Sequence, residues 1–187
     1  MPKINASKIA ILATDGFEQS ELMQPLEKLK AAGATVHVLS IKEGEIKGWD
    51  QTDWGQSVKV DRLVKDASVS DYDALVLPGG QINPDKLRAD ETAVAFIRDF
   101  YNSKKTLAAI CHAPWLLIEA GVISGRDVTS YSSIKTDVAN AGGRWRDETV
   151  VTDQALITSR NPDDLPAFIA KIIEEVEEGR HEDRAAA

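Results

Sequence analysis

Three short, uninterrupted apolar runs, each followed closely by residues that turn the chain, most constrain what this protein can fold into. Ile9-Ala-Ile-Leu12 leads to Asp15-Gly16, Ala74-Leu-Val-Leu77 to Pro78-Gly79-Gly80, and Leu107-Ala-Ala-Ile110 to Cys111-His112. Apolar runs without alternation suit strands covered on both faces, as in a parallel sheet. Helical patterns lie between them. Leu22, Leu26 and Leu29 form one stripe of a helix over residues 20–32, with Gly33 as its stop. Thr35–Ser40 reads as the next strand, Glu91–Asn102 as a helix, and residues 112–121 as a helix after Cys111. Residues 41–60, with Gly44, Gly48 and Gly55, read as a hairpin excursion, and 61–65 as a short helical turn.

Further on, residues 128–131 read as a strand and 134–141 as a helix. Val150-Val151 and Leu156-Ile157-Thr158 flank Asp153-Gln154 as an antiparallel hairpin. A last helix begins near Asp163-Asp164, where acidic residues complement the amide dipoles, and runs to about Glu178. Residues 1–180 are expected to form one domain and 181–187 a frayed tail. Strands alternating with helices predict an α/β fold, a mostly parallel sheet with helices on both faces. Sites in such sheets form beyond the carboxyl ends of the strands. The loops at 15–21, 78–85 and 111–114 are therefore expected to share one cleft.

Cys111 is the only cysteine among 187 residues, and it lies where a strand gives way to a helix. Amide dipoles at a helix start favour the thiolate and predict a lowered thiol pKa. Ala109 and Ala113 leave room for the sharp turn of a nucleophile elbow. A lone cysteine can instead be a small buried hydrophobe. The adjacent histidine and the upstream acids argue for a reactive thiol. One cysteine permits no internal disulfide, which fits a reducing, cytoplasmic compartment. The net charge of −8 argues against nonspecific binding to nucleic acid or anionic membranes. The amino-terminal segment has neither a signal peptide's pattern nor a membrane span's length.

Other candidates follow from these loops. Glu18 and Glu21 come after the first strand. A carboxyl pressed into the cleft beside Cys111 loses solvent and its pKa rises. A neutral Glu21 could then donate a hydrogen bond to the thiolate. Gly79 and Gly80 could offer backbone N–H groups to an oxyanion or an oxidised sulfur. His112 is a candidate base. No phosphate-loop or dinucleotide pattern occurs, and no paired histidine spacing suggests zinc. No cofactor or metal is expected. Trp115 and Trp145 read as packing residues, Trp49 and Trp54 as a subunit contact.

Four segments together resemble the ThiJ/PfpI superfamily, and within it the PfpI branch of intracellular proteases and general stress proteins. They are Asp15-Gly-Phe-Glu-Gln-Ser-Glu21, Leu77-Pro-Gly-Gly80, Ala109-Ile-Cys-His-Ala-Pro114 and Thr158-Ser-Arg-Asn-Pro-Asp-Asp-Leu165. The resemblance runs from about Lys8 to Glu178. It implies a flavodoxin-like three-layer α/β/α sandwich related to class I glutamine amidotransferases, and a homodimer or larger assembly. By resemblance, Cys111 matches the nucleophile, Glu21 the carboxyl bonded to it, and Glu18 a second acid beside it. His112 matches the histidine that, in protease-like members, pairs with an acid of a neighbouring subunit. That acid falls near Asp85. An extra residue between Gly80 and Pro84, and aspartate where the pattern has glutamate, change its reach. Ala113 stands where the pattern usually has glycine.

The resemblance implies several activities: peptidase, metal-independent glyoxalase, deglycase for methylglyoxal adducts, chaperone or oxidative-stress protein. A cysteine hydrolase of peptide or small carbonyl substrates is the leading expectation. A non-catalytic sensor, whose thiol oxidises to sulfenic or sulfinic acid, is the rival.

Overall fold

A computed structural model describes residues 3–181. In chain order the elements are β1 (Lys8–Leu12), β2 (Phe17–Glu18), α1 (Gln19–Ala31), β3 (Thr35–Ser40), β4 (Glu45–Asp50), β5 (Asp53–Lys59), β6 (Arg62–Leu63) and β7 (Ala74–Leu77). Then come α2 (Ile82–Arg88), α3 (Glu91–Asn102), β8 (Thr106–Ile110), α4 (Pro114–Glu119), β9 (Asp127–Val128) and α5 (Lys135–Asn140). The chain continues through β10 (Arg144–Trp145), β11 (Val150–Asp153), β12 (Leu156–Ser159) and α6 (Leu165–Glu178).

Seven strands form one sheet in the order β11-β12-β8-β7-β1-β3-β6. Every pairing in it is parallel except β11 with β12. Strand alternation sends side chains to two separate cores. Ile9, Ile11, Ala108 and Ile110 pack with Leu22, Leu26, Leu29, Phe168 and Ile172 of α1 and α6. Ala10, Leu12, Leu107 and Ala109 pack with Phe96, Ile97, Phe100, Leu116 and Leu117 of α3 and α4. Both faces are thus apolar, which is why the strand sequences show no alternation. The expected α/β sandwich with its mostly parallel sheet is the fold observed.

Several local expectations need correction. Residues 82–88 form α2, where the sequence predicts a loop over 78–85; Pro84 falls in its first turn, where a missing N–H removes no helical bond. The helix after Cys111 starts at Pro114 rather than His112, because residues 111–113 are spent on a turn. The strand expected over 128–131 is only β9, paired in parallel with β10. The helical turn expected at 61–65 is β6 followed by a 3-10 turn at Val64–Asp66. Of the expected tail, His181 is placed, its N–H donating to the Lys104 carbonyl at 3.2 Å; the rest lies outside the described residues.

The excursion is the β4–β5 hairpin, as expected, and β4 adds in parallel to β2. Asp15 docks it by accepting from the Lys47 N–H at 2.8 Å, and the Gly16 N–H donates to the Lys47 carbonyl at 2.8 Å. One buried side chain, Asn83, ties the strand ends together. It accepts from the Thr14 N–H at 2.7 Å and donates to the carbonyls of Pro78 and Gly79 at 2.9 and 3.1 Å. Asn83→Ala would strand these three buried groups and is expected to lower stability by about 3 kcal/mol. Urea unfolding checks this; a loss below about 1 kcal/mol would show that the strand ends hold without it.

Candidate active site

Cys111 follows directly on β8 and takes a left-handed backbone, φ 66°. A non-glycine residue there costs about 1–3 kcal/mol and persists only where its surroundings enforce it. Here the Cys111 N–H donates to the Ser159 carbonyl at 3.0 Å, and its own carbonyl accepts from Tyr131 at 2.8 Å. The Ala113 N–H closes the turn onto the Ile110 carbonyl at 3.0 Å. Ala109 and Ala113 are fully buried against this turn, as their size suggested.

The sulfur is almost enclosed, Cys111 being 5% exposed. Glu21, projecting from α1, is fully buried beside it. Its Oε2 accepts from the Gly79 N–H at 2.8 Å, while Oε1 has no hydrogen-bond partner among the described residues. Burial raises the Glu21 pKa to about 8, against the pull of the Gly79 amide, so the carboxyl is protonated at neutral pH. The neutral Glu21 expected from the sequence is what burial produces.

The lowered thiol pKa is not. Burial pushes the Cys111 thiol up, and an ionised Glu21 beside it pushes it further. The N–H groups of Gly80 and His112 bond to the sulfur and pull it back. The helix that was to supply the dipole starts three residues later and has only six residues. Because Glu21 is protonated below about pH 8, its charge opposes the thiolate only above that pH. Below it, the carboxyl can donate a hydrogen bond instead.

The glycines divide the work differently from expectation. The Gly79 N–H is taken by Glu21, which removes it as an oxyanion donor, whereas the Gly80 N–H points at the sulfur. Both must be glycine. A Cβ on Gly79 would lie 2.6 Å from the Cys111 Cβ, and one on Gly80, with φ 83°, 2.5 Å from the Gly16 carbonyl oxygen.

His112 meets Cys111 directly. Its Nδ1 lies 3.2 Å from the sulfur and its Nε2 lies 3.1 Å from the Ser133 Oγ. The ring stacks on Tyr131 at 4.7 Å and meets Trp115 edge-on at 5.2 Å. Burial lowers its pKa, which leaves it neutral at pH 7. Trp115 is itself held by Asp137 and overlaid by Arg88. Ser133, Tyr131 and Asn83 were not singled out from the sequence; nothing in a Ser-Tyr-Ser-Ser run marks a histidine partner.

A cavity of about 380 Å³ opens onto the sulfur, lined by Glu18, Glu21, Gly80, Cys111 and His112 together with Trp49, Gln51, Ile82, Tyr131 and Pro162. Glu18 is half-buried, and both burial and nearby Asp50 raise its pKa. Trp49, read above as a subunit contact, also walls this cavity. Asp85 is exposed on α2, pairs with Arg88 at 2.6 Å and does not line this cavity; the pairing implied by the resemblance is with the histidine of a neighbouring subunit. Among the described residues, Glu175, Glu178 and His181 lie close enough together to hold a metal ion. This group sits at the amino ends of the strands, the pole opposite Cys111, and a 2.9 Å contact between Glu175 and His181 Nε2 accounts for it.

A strained cysteine at a strand end, with a buried carboxyl and an imidazole against its sulfur, defines an α/β protein of the nucleophile-elbow class. The chain belongs to the DJ-1/PfpI family, whose model matches residues 7–175. It is 46% identical over 165 residues to "Protein/nucleic acid deglycase 2" of Escherichia coli, covering 87% of this chain and 94% of the relative. It is 42% identical over 164 residues to "Putative cysteine protease YraA" of Bacillus subtilis, again covering 87% and 94%. Among solved structures, a two-domain protein of Anabaena variabilis with DJ-1/ThiJ/PfpI-like and ferritin-like domains superposes with a TM-score of 0.87 at 36% identity, covering 96% of this chain and 52% of that one.

Two predictions follow from the buried carboxyl. Its folded pKa of about 8 lies above the unfolded value of 4.5, so the folded state keeps a proton the unfolded chain has lost. Stability should therefore fall as pH rises from 4.5 to 8, by at most about 1.4 kcal/mol per unit. Glu21→Gln should flatten that slope in urea titrations; an unchanged slope would place the proton elsewhere. Iodoacetamide labelling of Cys111 should show an inflection near pH 8 in the native protein that is lost in Glu21→Gln. The same profile in both proteins would uncouple the two groups.

Proposed function

We propose that this protein is a cysteine-dependent hydrolase of PfpI type, acting on small carbonyl groups of the kind found in methylglyoxal adducts of amino groups. The contact that carries the reading is His112 Nδ1 at 3.2 Å from the Cys111 sulfur. A buried thiol with a raised pKa is a poor nucleophile until a base takes its proton. A neutral imidazole in contact with it is that base. The thiolate adds to the carbonyl carbon, and the amides of Gly80 and His112, aimed at the sulfur in the free site, hold the alkoxide that forms. Protonated Glu21 adds no charge against the incoming anion. In an amide the C–N bond of that same carbon breaks as C=O re-forms, and the Nδ1–H of His112 gives its proton to the departing nitrogen. In a methylglyoxal carbinolamine the nitrogen sits on the neighbouring carbinol carbon, where the C–S bond forms as C–N breaks with the same proton transfer. A proton shift then turns the resulting hemithioacetal into a thioester that water opens. With a peptide substrate the same sequence leaves a thioester for water to open.

The cavity, about 380 Å³, suits a modified side chain or a small ketoaldehyde better than an extended peptide. The relative named a deglycase supports that choice, and the one named a putative cysteine protease supports the shared nucleophile. The single cysteine favours a reducing, cytoplasmic setting; among the described residues no helix is long and apolar enough to cross a membrane. The reading includes self-association, for which Trp54, 44% exposed on the β4–β5 hairpin, is a suitable anchor. The redox-sensor alternative rests on the same amides, which could hold an oxidised sulfur, but it gives the His112–Cys111 contact no task.

Release of free amine from a methylglyoxal adduct of N-acetylarginine or N-acetyllysine tests this directly, with a chromogenic peptide alongside. Cys111→Ser should abolish turnover, and His112→Ala should reduce kcat by about a hundredfold or more. Turnover that survives Cys111→Ser would end the proposal.

A further inference from the structure

We propose that Ser133 is a positioning residue that fixes the tautomer of His112 and passes the proton of Cys111 out to solvent. The inference rests on the hydrolase reading above, since it concerns how the same thiol is activated.

The thiol's own surroundings pose the problem. Cys111 is 5% and His112 4% exposed, although the cavity reaches both. The base in contact with the sulfur is His112 Nδ1 at 3.2 Å, so the proton's way out starts on the ring. The ring of His112 cannot turn to carry it, because Tyr131 stacks on one face and Trp115 closes an edge. Its two nitrogens therefore keep fixed partners. Nδ1 faces the sulfur at 3.2 Å, and Nε2 faces the Ser133 hydroxyl at 3.1 Å. Ser133 itself is exposed at the start of α5, in the 3-10 turn Ser132–Ile134.

Only one tautomer serves. With hydrogen on Nε2, the Ser133 oxygen accepts it and the Nδ1 lone pair faces the thiol. With hydrogen on Nδ1, the imidazole would be a donor to the sulfur and no base. A hydroxyl can accept from Nε2–H or donate to a bare Nε2. With the exposed Ser133 turning its own proton to solvent, it accepts, and Nε2–H is the state held. The relay then balances. The S–H bond breaks as Nδ1–H forms. Nε2–H breaks as an O–H bond forms on Ser133, whose original proton goes to a solvent base. The products are a thiolate and a neutral imidazole, with no change of oxidation state. A carboxylate at Nε2 would instead stabilise imidazolium and hold the proton on the ring. Asp85, which the resemblance places against the histidine of a neighbouring subunit, pairs with Arg88 at 2.6 Å in its own chain.

Ser133→Ala and Ser133→Thr separate this role from a structural one, because threonine keeps the hydroxyl and Ser133 does not line the cavity. Nitrogen-15 spectra of the His112 ring should show hydrogen on Nε2 in the native protein and in Ser133→Thr, and a mixture of tautomers in Ser133→Ala. Turnover of the N-acetylarginine adduct should show kcat lowered about tenfold in Ser133→Ala, KM unchanged, and recovery in Ser133→Thr. Hydrogen on Nδ1 in the native protein would overturn the proposal. So would a Ser133→Ala protein with native kcat and native ring spectra. If no carbonyl substrate turns over, the hydrolase reading fails while the ring spectra still decide the tautomer. If Asp85→Asn lowers kcat and Ser133→Ala does not, an acid of a second copy serves Nε2 and Ser133 does not.

Discussion

The left-handed backbone at Cys111 is the constraint on which the rest of the site depends. A φ of 66° at a residue with a side chain is unfavourable by itself. It is held from both sides, by the β12 carbonyl of Ser159 and by the Tyr131 N–H beyond α4. That turn lifts the sulfur off the end of β8 and leaves it facing Glu21, Gly80 and His112 at once. In an ordinary strand-to-helix connection the same residue would continue into the core. The strain is stored at the residue that carries the sulfur, and the sheet on either side supplies the rigidity that keeps it there.

The second feature is a carboxyl placed where it cannot ionise easily. Glu21 sits in the first turn of α1, a common surface position for an acid, yet it is fully buried. One oxygen is held by the Gly79 amide and the other has no partner among the described residues. Keeping such a group protonated to about pH 8 costs stability under alkaline conditions. The cost is intelligible if the carboxyl's task is to sit next to sulfur without repelling the charge that forms there. The adjacent glycines are fixed by the same geometry, since a methyl group on either would collide with the elbow or with the β1–β2 turn.

Much of this was readable in the sequence because the physics is local. Continuous apolar runs could only be strands covered on two faces, and they are. Alanines flanking Cys111 announced a tight turn. The order strand, acidic loop, strand, Gly-Gly, strand, Cys-His placed three loops at one end of the sheet. Other elements were hidden because their signals come from elsewhere in the chain. The α2 helix carries a proline that looks like a stop until its position in the first turn is known. Asn83 is an unremarkable residue in sequence, and only the meeting of three loops makes it the tie between them.

The sequence by itself determined the layered α/β architecture and the identity of the trio that meets at the elbow, Cys111, His112 and Glu21, because periodicity and residue chemistry are properties of short segments. Tertiary structure decided the protonation and the pairing. Burial, a property of neighbours far apart in the chain, keeps Glu21 neutral, pushes the Cys111 thiol up and lowers His112. It also gave the Gly79 amide to Glu21, left the Gly80 amide for the sulfur, and set Ser133, 21 residues beyond His112, against the imidazole. No window of sequence contains those distances, since each is fixed by how the sheet brings separate loops to a common edge.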